Sequence, residues 1–171
     1  MTLSIREAIA ADAEMIVAVR MAAAQDLTAR FGQGFWSSNT TEAGVLSAMK
    51  RGRTVVAVDG AEIVGTLTLS KKKPWAIDAG YFTRSRLPIY LTSMAVDPGS
   101  QGKGIGRAML ADVERRVRAW PEGPGDAIRL DAFDSDAGAG GFYAKCGYVE
   151  RGRALFRAAP LIYFERLLLT P

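Results

Sequence analysis

The residues best suited to do chemistry lie in one short run, Gln101-Gly102-Lys103-Gly104-Ile105-Gly106-Arg107. Glycines accept positive φ and let a ligand come close to the backbone. Where such a run opens a helix, the free N–H groups of the first turn and the helix dipole favour an anion. Lys103 and Arg107 add positive charge beside it. The chemistry that fits is the holding of a phosphate or pyrophosphate. Three phosphate-loop patterns can be compared with the run. The Walker loop fails, because Gly102-Lys103 is followed by Gly104 and not by Ser or Thr. The dinucleotide fingerprint fails, because Arg107 stands where its last glycine is needed. The pattern Gln/Arg-x-x-Gly-x-Gly/Ala is met by Gln101, Gly104 and Gly106. The plain alternative is a tight strand-to-helix turn.

What the chain lacks narrows the chemistry. Its 171 residues include no histidine and one cysteine, Cys146. A Ser-His-Asp triad and a Cys-His pair both need an imidazole, so neither forms within this chain. One cysteine builds no structural zinc site, iron–sulfur cluster or intrachain disulfide. No metal site is expected. The balance of 22 Lys+Arg against 18 Asp+Glu gives +4, with no basic stripe that would argue for nucleic acid. Met1 to Glu7 lacks a basic n-region followed by an apolar core, and no apolar run approaches a membrane span. A cytoplasmic protein is the expectation.

The elements that must position the glycine run alternate in period, which is the α/β signature. Leu3 to Arg6 reads as a strand. Asp12 reads as the cap of a helix through Met15, Ile16, Val19 and Ala23. Asp26 to Ser38 reads as a loop or broken helix. Thr41 opens a second helix to about Lys50. Thr54 to Val58 and Ile63 to Ser70 form a hairpin around Asp59-Gly60. Trp75 to Leu87 is a connection without clear period. Ile89 to Val96 is an apolar run that reads as a buried strand. The helix after the glycines carries Ile105, Met109, Leu110, Val113 and Val117 on its apolar face. Ile128 to Phe133 is a strand. Ser135 and Asp136 read as caps of a helix from Ala137 to Cys146, ended by Gly147. Tyr148 to Gly152 and Leu161 to Leu168 read as the last strands.

Four pieces in order carry a resemblance that covers nearly the whole chain. They are Tyr90-Leu91-Thr92-Ser93-Met94-Ala95-Val96-Asp97-Pro98, Gln101 to Gly106, Gly141-Phe142-Tyr143-Ala144-Lys145-Cys146-Gly147-Tyr148, and Pro160-Leu161-Ile162-Tyr163-Phe164-Glu165. They resemble, respectively, the central strand, the pyrophosphate loop, the Phe-Tyr-x-x-x-Gly-Phe segment and the last strand of the GNAT superfamily of N-acetyltransferases. The resemblance implies one domain over residues 1–171, with a mixed, mainly antiparallel sheet of six to seven strands flanked by helices. It implies two splayed central parallel strands, Ile89–Val96 and Ile128–Phe133. It implies acetyl-CoA as co-substrate. Backbone groups of Met94, Ala95 and Val96 would pair with the pantetheine amides like an added strand. Those of Gln101, Gly102, Lys103, Gly104, Ile105, Gly106 and Arg107 would hold the pyrophosphate.

The resemblance also makes Tyr143 the general acid that protonates the departing CoA sulfur. The acid–base chemistry is suitable, since a phenol with pKa near 10 stays protonated at neutral pH and can protonate a thiolate. Phe142 and Cys146 share a helix face, so Phe142 is expected in the core and Tyr143 turned elsewhere. Family members often carry an asparagine near the start of this helix, and this chain has none there. An amine must lose a proton before it attacks. The central strand offers Tyr90, Thr92 and Ser93 but no carboxylate, so the base is water, Asp78, Asp131 or Asp134. Phe31, Phe35, Trp36, Trp75, Tyr81 and Phe82 fall where the family lines its acceptor pocket.

The reading is an N-acetyltransferase that moves an acetyl group directly from acetyl-CoA to a primary amine of a small molecule or peptide. The alternative is a non-catalytic acyl-CoA-binding module on the same fold. The oligomeric state stays open between monomer and homodimer, and Cys146 reads as structural.

Overall fold

A computed structural model describes residues 1–168 of the chain. Its strands are β1 (Leu3–Glu7), β2 (Arg53–Asp59), β3 (Glu62–Ser70), β4 (Pro88–Val96), β5 (Ala127–Phe133), β6 (Val149–Phe156) and β7 (Ala159–Leu167). Its α-helices are α1 (Ala13–Phe31), α2 (Glu42–Arg51), α3 (Ile105–Arg118) and α4 (Gly140–Lys145). The strands form one sheet in the order β1-β2-β3-β4-β5-β7-β6. The α/β class and the mixed sheet follow the sequence reading. The parallel pairing of β4 with β5 covers three residue pairs, Pro88 to Tyr90 with Ala127 to Arg129.

Residue contacts divide the chain into two compact bodies, one of residues 1–69 and 92–109, the other of residues 70–91 and 110 onward. In the first, α1 and α2 bury Ile16, Val19 and Val45 with Val56 and Ile63 of β2 and β3. Each such side chain contributes about 1.5–3 kcal/mol. Thr41 caps α2 through its hydroxyl, which accepts from the Gly44 N–H at 3.1 Å. Two expectations are corrected here. Asp12 does not cap α1 with its side chain; its carboxylate accepts from the Ile9 N–H and pairs with Arg6 at 2.7 Å. That contact holds the carboxyl below its ordinary value, through the Arg6 hydrogen bond first. Residues from Asp26 to Phe31 are helix, not loop, because α1 meets no glycine or proline before Gly32, whose φ of +83° ends it.

In the second body, β5 and β6 flank β7 in antiparallel register. β6 runs to Phe156 and β7 starts at Ala159, so this hairpin is longer than the sequence suggested. Its turn is Arg157-Ala158, at φ of +49° and +68°. Such turns are usually marked by Asn or Gly, and this one carries no such signal. α4 is shorter than read. Ser135 and Asp136 do not cap it; its N-cap is Ala139, without a side-chain bond. The Gly138 N–H instead bonds the Ser135 carbonyl at 2.9 Å. This turn needs glycine, since a Cβ at Gly138 would collide with the Phe133 carbonyl.

One charged cluster ties this body together. Glu165 on β7 is fully buried and pairs with Arg129 of β5 and Arg151 of β6, each at 3.0 Å. It also accepts from the Thr83 N–H at 3.2 Å, while Arg129 donates to the Thr83 carbonyl at 2.6 Å and stacks over Phe82 at 4.9 Å. Removing one partner of such a set leaves buried charge uncompensated, at about 3–5 kcal/mol. Glu165→Ala should therefore lower the melting temperature by roughly 6–15 °C, measured by calorimetry.

Candidate active site

The end of β4 and the turn after it carry the predicted cofactor-binding residues of the first body. Residues Met94, Ala95 and Val96 are half-buried at the end of β4. Just before them Ser93 sits at φ +55° inside the strand. A non-glycine residue there costs about 1–2 kcal/mol. Such strain collects where a strand is bent for use. No feature of the sequence marked Ser93 as strained.

From Gln101 to Gly104 the turn is exposed. Gly102 and Gly104 have φ of +78° and +80°, with nothing within 4 Å of a Cβ at either. Both glycines are thus required by backbone conformation and leave open space above the backbone. The Gln101 side-chain amide donates to the Val96 carbonyl at 3.2 Å and fastens the turn to β4. The Gly104 carbonyl accepts from the Ala108 N–H at 3.0 Å, so the helix ladder starts at the second of these glycines. α3 has no acidic residue in its first turn. Lys103 and Arg107 are exposed and Ile105 anchors the turn inward. Open N–H groups, the dipole of a 14-residue helix and two cations make a surface complementary to a pyrophosphate.

The other residues named from the sequence belong to the second body. Tyr143, not Phe142, is the buried residue of α4, which corrects the expected facing. With only six residues, α4 makes one and a half turns, and Tyr143 fills the space against Tyr148 and Phe164, at ring-centroid distances of 5.8 and 6.1 Å. Burial pushes the Tyr143 phenol above its ordinary value, with smaller pushes from Asp131 and Cys146. The phenol therefore stays protonated at neutral pH.

β5 and β7 sort the remaining groups by face. Leu130 is paired with Phe164, which α4 covers, and Asp131 with Tyr163. Paired residues of an antiparallel ladder share a face. Asp131 and Tyr163 therefore look to the side opposite α4. Burial raises the Asp131 carboxyl above its ordinary value, against a smaller pull from its own backbone N–H. Tyr163 is the hub of that side. Its hydroxyl donates to the Ala76 carbonyl at 2.5 Å and accepts from the Asp78 N–H at 3.2 Å. Phe82 packs on its ring at 5.5 Å. The sequence reading placed Tyr163 only within a strand and missed this role.

A cavity of about 620 Å³ opens on the same side, with Asp78 and Asp134 both on its wall beside Trp75, Tyr81 and Tyr163. Of the three carboxylates named from the sequence, Asp78 and Asp134 share the cavity wall with Tyr163, and Asp131 is its partner across the ladder. The aromatic residues divide. Trp75 and Tyr81 line the cavity, and Phe82 lies under Arg129. Phe31, Phe35 and Trp36 belong to the first body, where the Trp36 indole donates to the Gly32 carbonyl at 2.9 Å. Among the described residues no group of His, Cys, Asp or Glu is arranged to hold a metal ion. No described helix is long and apolar enough to cross a membrane.

Known structures share the fold. An acetyltransferase of the GNAT family from Streptococcus agalactiae aligns with TM-score 0.79 at 12% identity, over 98% of this chain and 96% of that one. A ribosomal-protein-alanine N-acetyltransferase from Brucella melitensis aligns with TM-score 0.69 at 17% identity, over 96% and 99%. A Salmonella typhimurium protein, described as an acetyltransferase with its cofactor acetyl-CoA, aligns with TM-score 0.65 at 15% identity, over 98% and 94%. No curated protein matches the sequence. The acetyltransferase (GNAT) family model matches residues 21–148, a span that takes in the glycine turn, Asp131 and Tyr143, and the chain belongs to that family.

Proposed function

We propose that the protein is an N-acetyltransferase that moves an acetyl group from acetyl-CoA to a primary amine by direct transfer. The observation that carries this reading is β5, which has a raised carboxyl on one face and, against the other, a buried neutral phenol. One acid and one base held in different environments are what a direct transfer needs.

Acetyl-CoA supplies the thioester when bound. The backbone N–H groups of Gln101 to Arg107 hold its pyrophosphate, and Lys103 and Arg107 add charge. Met94, Ala95 and Val96 offer main-chain groups to the pantetheine amides, and an N–H of this stretch polarises the thioester oxygen. Asp131 takes a proton from the ammonium, directly or through water. The neutral amine nitrogen then forms a bond to the acyl carbon as the carbon–sulfur bond breaks, and it gives up its second proton to solvent. Tyr143 gives its proton to the leaving sulfur and is reprotonated from solvent. Asp131 is preferred to Asp78 and Asp134 because burial makes it the stronger base. Asp134 is paired with Arg153 at 3.3 Å, and Asp78 accepts from the Gly80 N–H at 2.9 Å.

A thiol-release assay with acetyl-CoA over a panel of amines tests the activity. Tyr143→Phe should lower kcat by about 10²-fold or more while leaving the acetyl-CoA-induced melting shift in place. Unchanged turnover would remove the acid role, and binding without turnover of any amine by the unaltered protein would favour a binding module. The base works only when ionised, so activity should fall as pH drops through the raised Asp131 value. In Asp131→Asn that acid limb should vanish along with about 10²-fold of kcat. The rise toward alkaline pH, set by deprotonation of the amine itself, should remain.

A further inference from the structure

The cavity on the Tyr163 side has a chemical character that the acetyl-transfer reading does not use. Three of the chain's large exposed hydrophobic residues, Trp75, Tyr81 and Leu155, meet on it, with Trp75 84% and Leu155 76% exposed. Large apolar side chains left in water around one concavity mark a place where something apolar is to be covered. The volume of about 620 Å³ is in the range of small-molecule sites.

Its wall is held firmly. Lys73 donates to the Ile77 carbonyl at 2.5 Å, and Tyr163 holds Ala76 and Asp78 as described. Tyr81 seats against Gly152, where a Cβ would strike its ring, and its ring meets Tyr163 edge-on at 5.2 Å. The Tyr81 ring is thus set by the fold before a ligand arrives, which spares binding the cost of ordering it.

The charge on the wall runs against that of the whole molecule. The chain is +4, yet the cavity carries two carboxylates, Asp78 and Asp134, against one guanidinium, Arg153. That guanidinium is already engaged, by Glu150 at 2.8 Å and by Asp134 at 3.3 Å. An incoming cation meets net negative charge, whereas a carboxylate meets repulsion and a donor already in use. Aromatic faces also attract cations.

We propose that this cavity takes the acetyl acceptor, and that the acceptor is a cationic arylalkylamine, a primary amine on a flat aromatic body, in preference to a zwitterionic amino acid. The proposal rests on the acetyltransferase reading above. The aromatic body lies against Trp75 and Tyr81, and the ammonium is drawn to Asp78 and Asp134. The ammonium loses a proton, the nitrogen bonds the acyl carbon and gives up its second proton to solvent, and the thiolate leaves with a proton from Tyr143.

Steady-state acetylation by the full chain with acetyl-CoA tests this on matched acceptors: tyramine, tyrosine, n-hexylamine and a short peptide with a free alanine N-terminus. Tyramine should exceed tyrosine in kcat/KM by tenfold or more, and n-hexylamine by several-fold. Trp75→Ala should raise the KM for tyramine at least fivefold, more than it lowers kcat, without changing the acetyl-CoA melting shift. Tyrosine, n-hexylamine or the peptide as the best acceptor overturns the proposal, as does a Trp75→Ala enzyme with an unaltered tyramine KM. A melting shift with acetyl-CoA, together with acetylation of amines other than tyramine, overturns the acceptor class and leaves the acetyltransferase reading standing. No shift and no acetylation of any amine overturns both.

Discussion

A β-strand can present only every second side chain to one face. On β5 that constraint separates two kinds of chemistry. Arg129, Asp131 and Phe133 go to one side, and Leu130 and Ala132 to the other. The first side holds the charged cluster, the raised carboxyl and the cavity wall. The second receives α4 and its buried phenol. A carboxyl and a phenol kept on opposite sides of one strand cannot meet by direct contact, yet they are close enough for Asp131 to push on the Tyr143 phenol. One strand register sets both their separation and their coupling.

The lack of histidine gives this separation its weight. An imidazole near neutrality can take up and release protons from one position. Without one, any proton chemistry of this chain falls to groups that ordinarily titrate far from neutrality. Burial favours the protonated form of the Asp131 carboxyl and of the Tyr143 phenol alike.

Much of this was legible in the chain itself. The glycine turn was readable because left-handed backbone at Gly102 and Gly104 demands glycine, and a missing side chain leaves a mark in sequence. The hairpin at Asp59-Gly60 was readable for the same reason. The facing of Tyr143 was not. A helix of six residues is too short for periodicity to decide which side is inward, and Phe142 looked the better core residue. The Arg157-Ala158 turn lacked its usual residues, so the last hairpin was drawn too short. Ser93 was invisible because strain belongs to the backbone, and any residue type can suffer it. The cluster of Glu165 with Arg129 and Arg151 joins residues 14 and 36 positions apart, and only the ladder brings them together.

Two anchors of the segment from Ala76 to Thr83 stand on β7, at Tyr163 and Glu165, two residues apart on one face. They grip main-chain atoms, the Ala76 carbonyl, the Asp78 N–H and the Thr83 N–H, while the Tyr163 ring also packs against Tyr81 and Phe82. A segment held by its backbone can exchange its side chains without losing its place. The identity of the residue at Trp75 or Ala79 is then free to drift while the strand beneath stays fixed, as a panel replaced within a rigid frame.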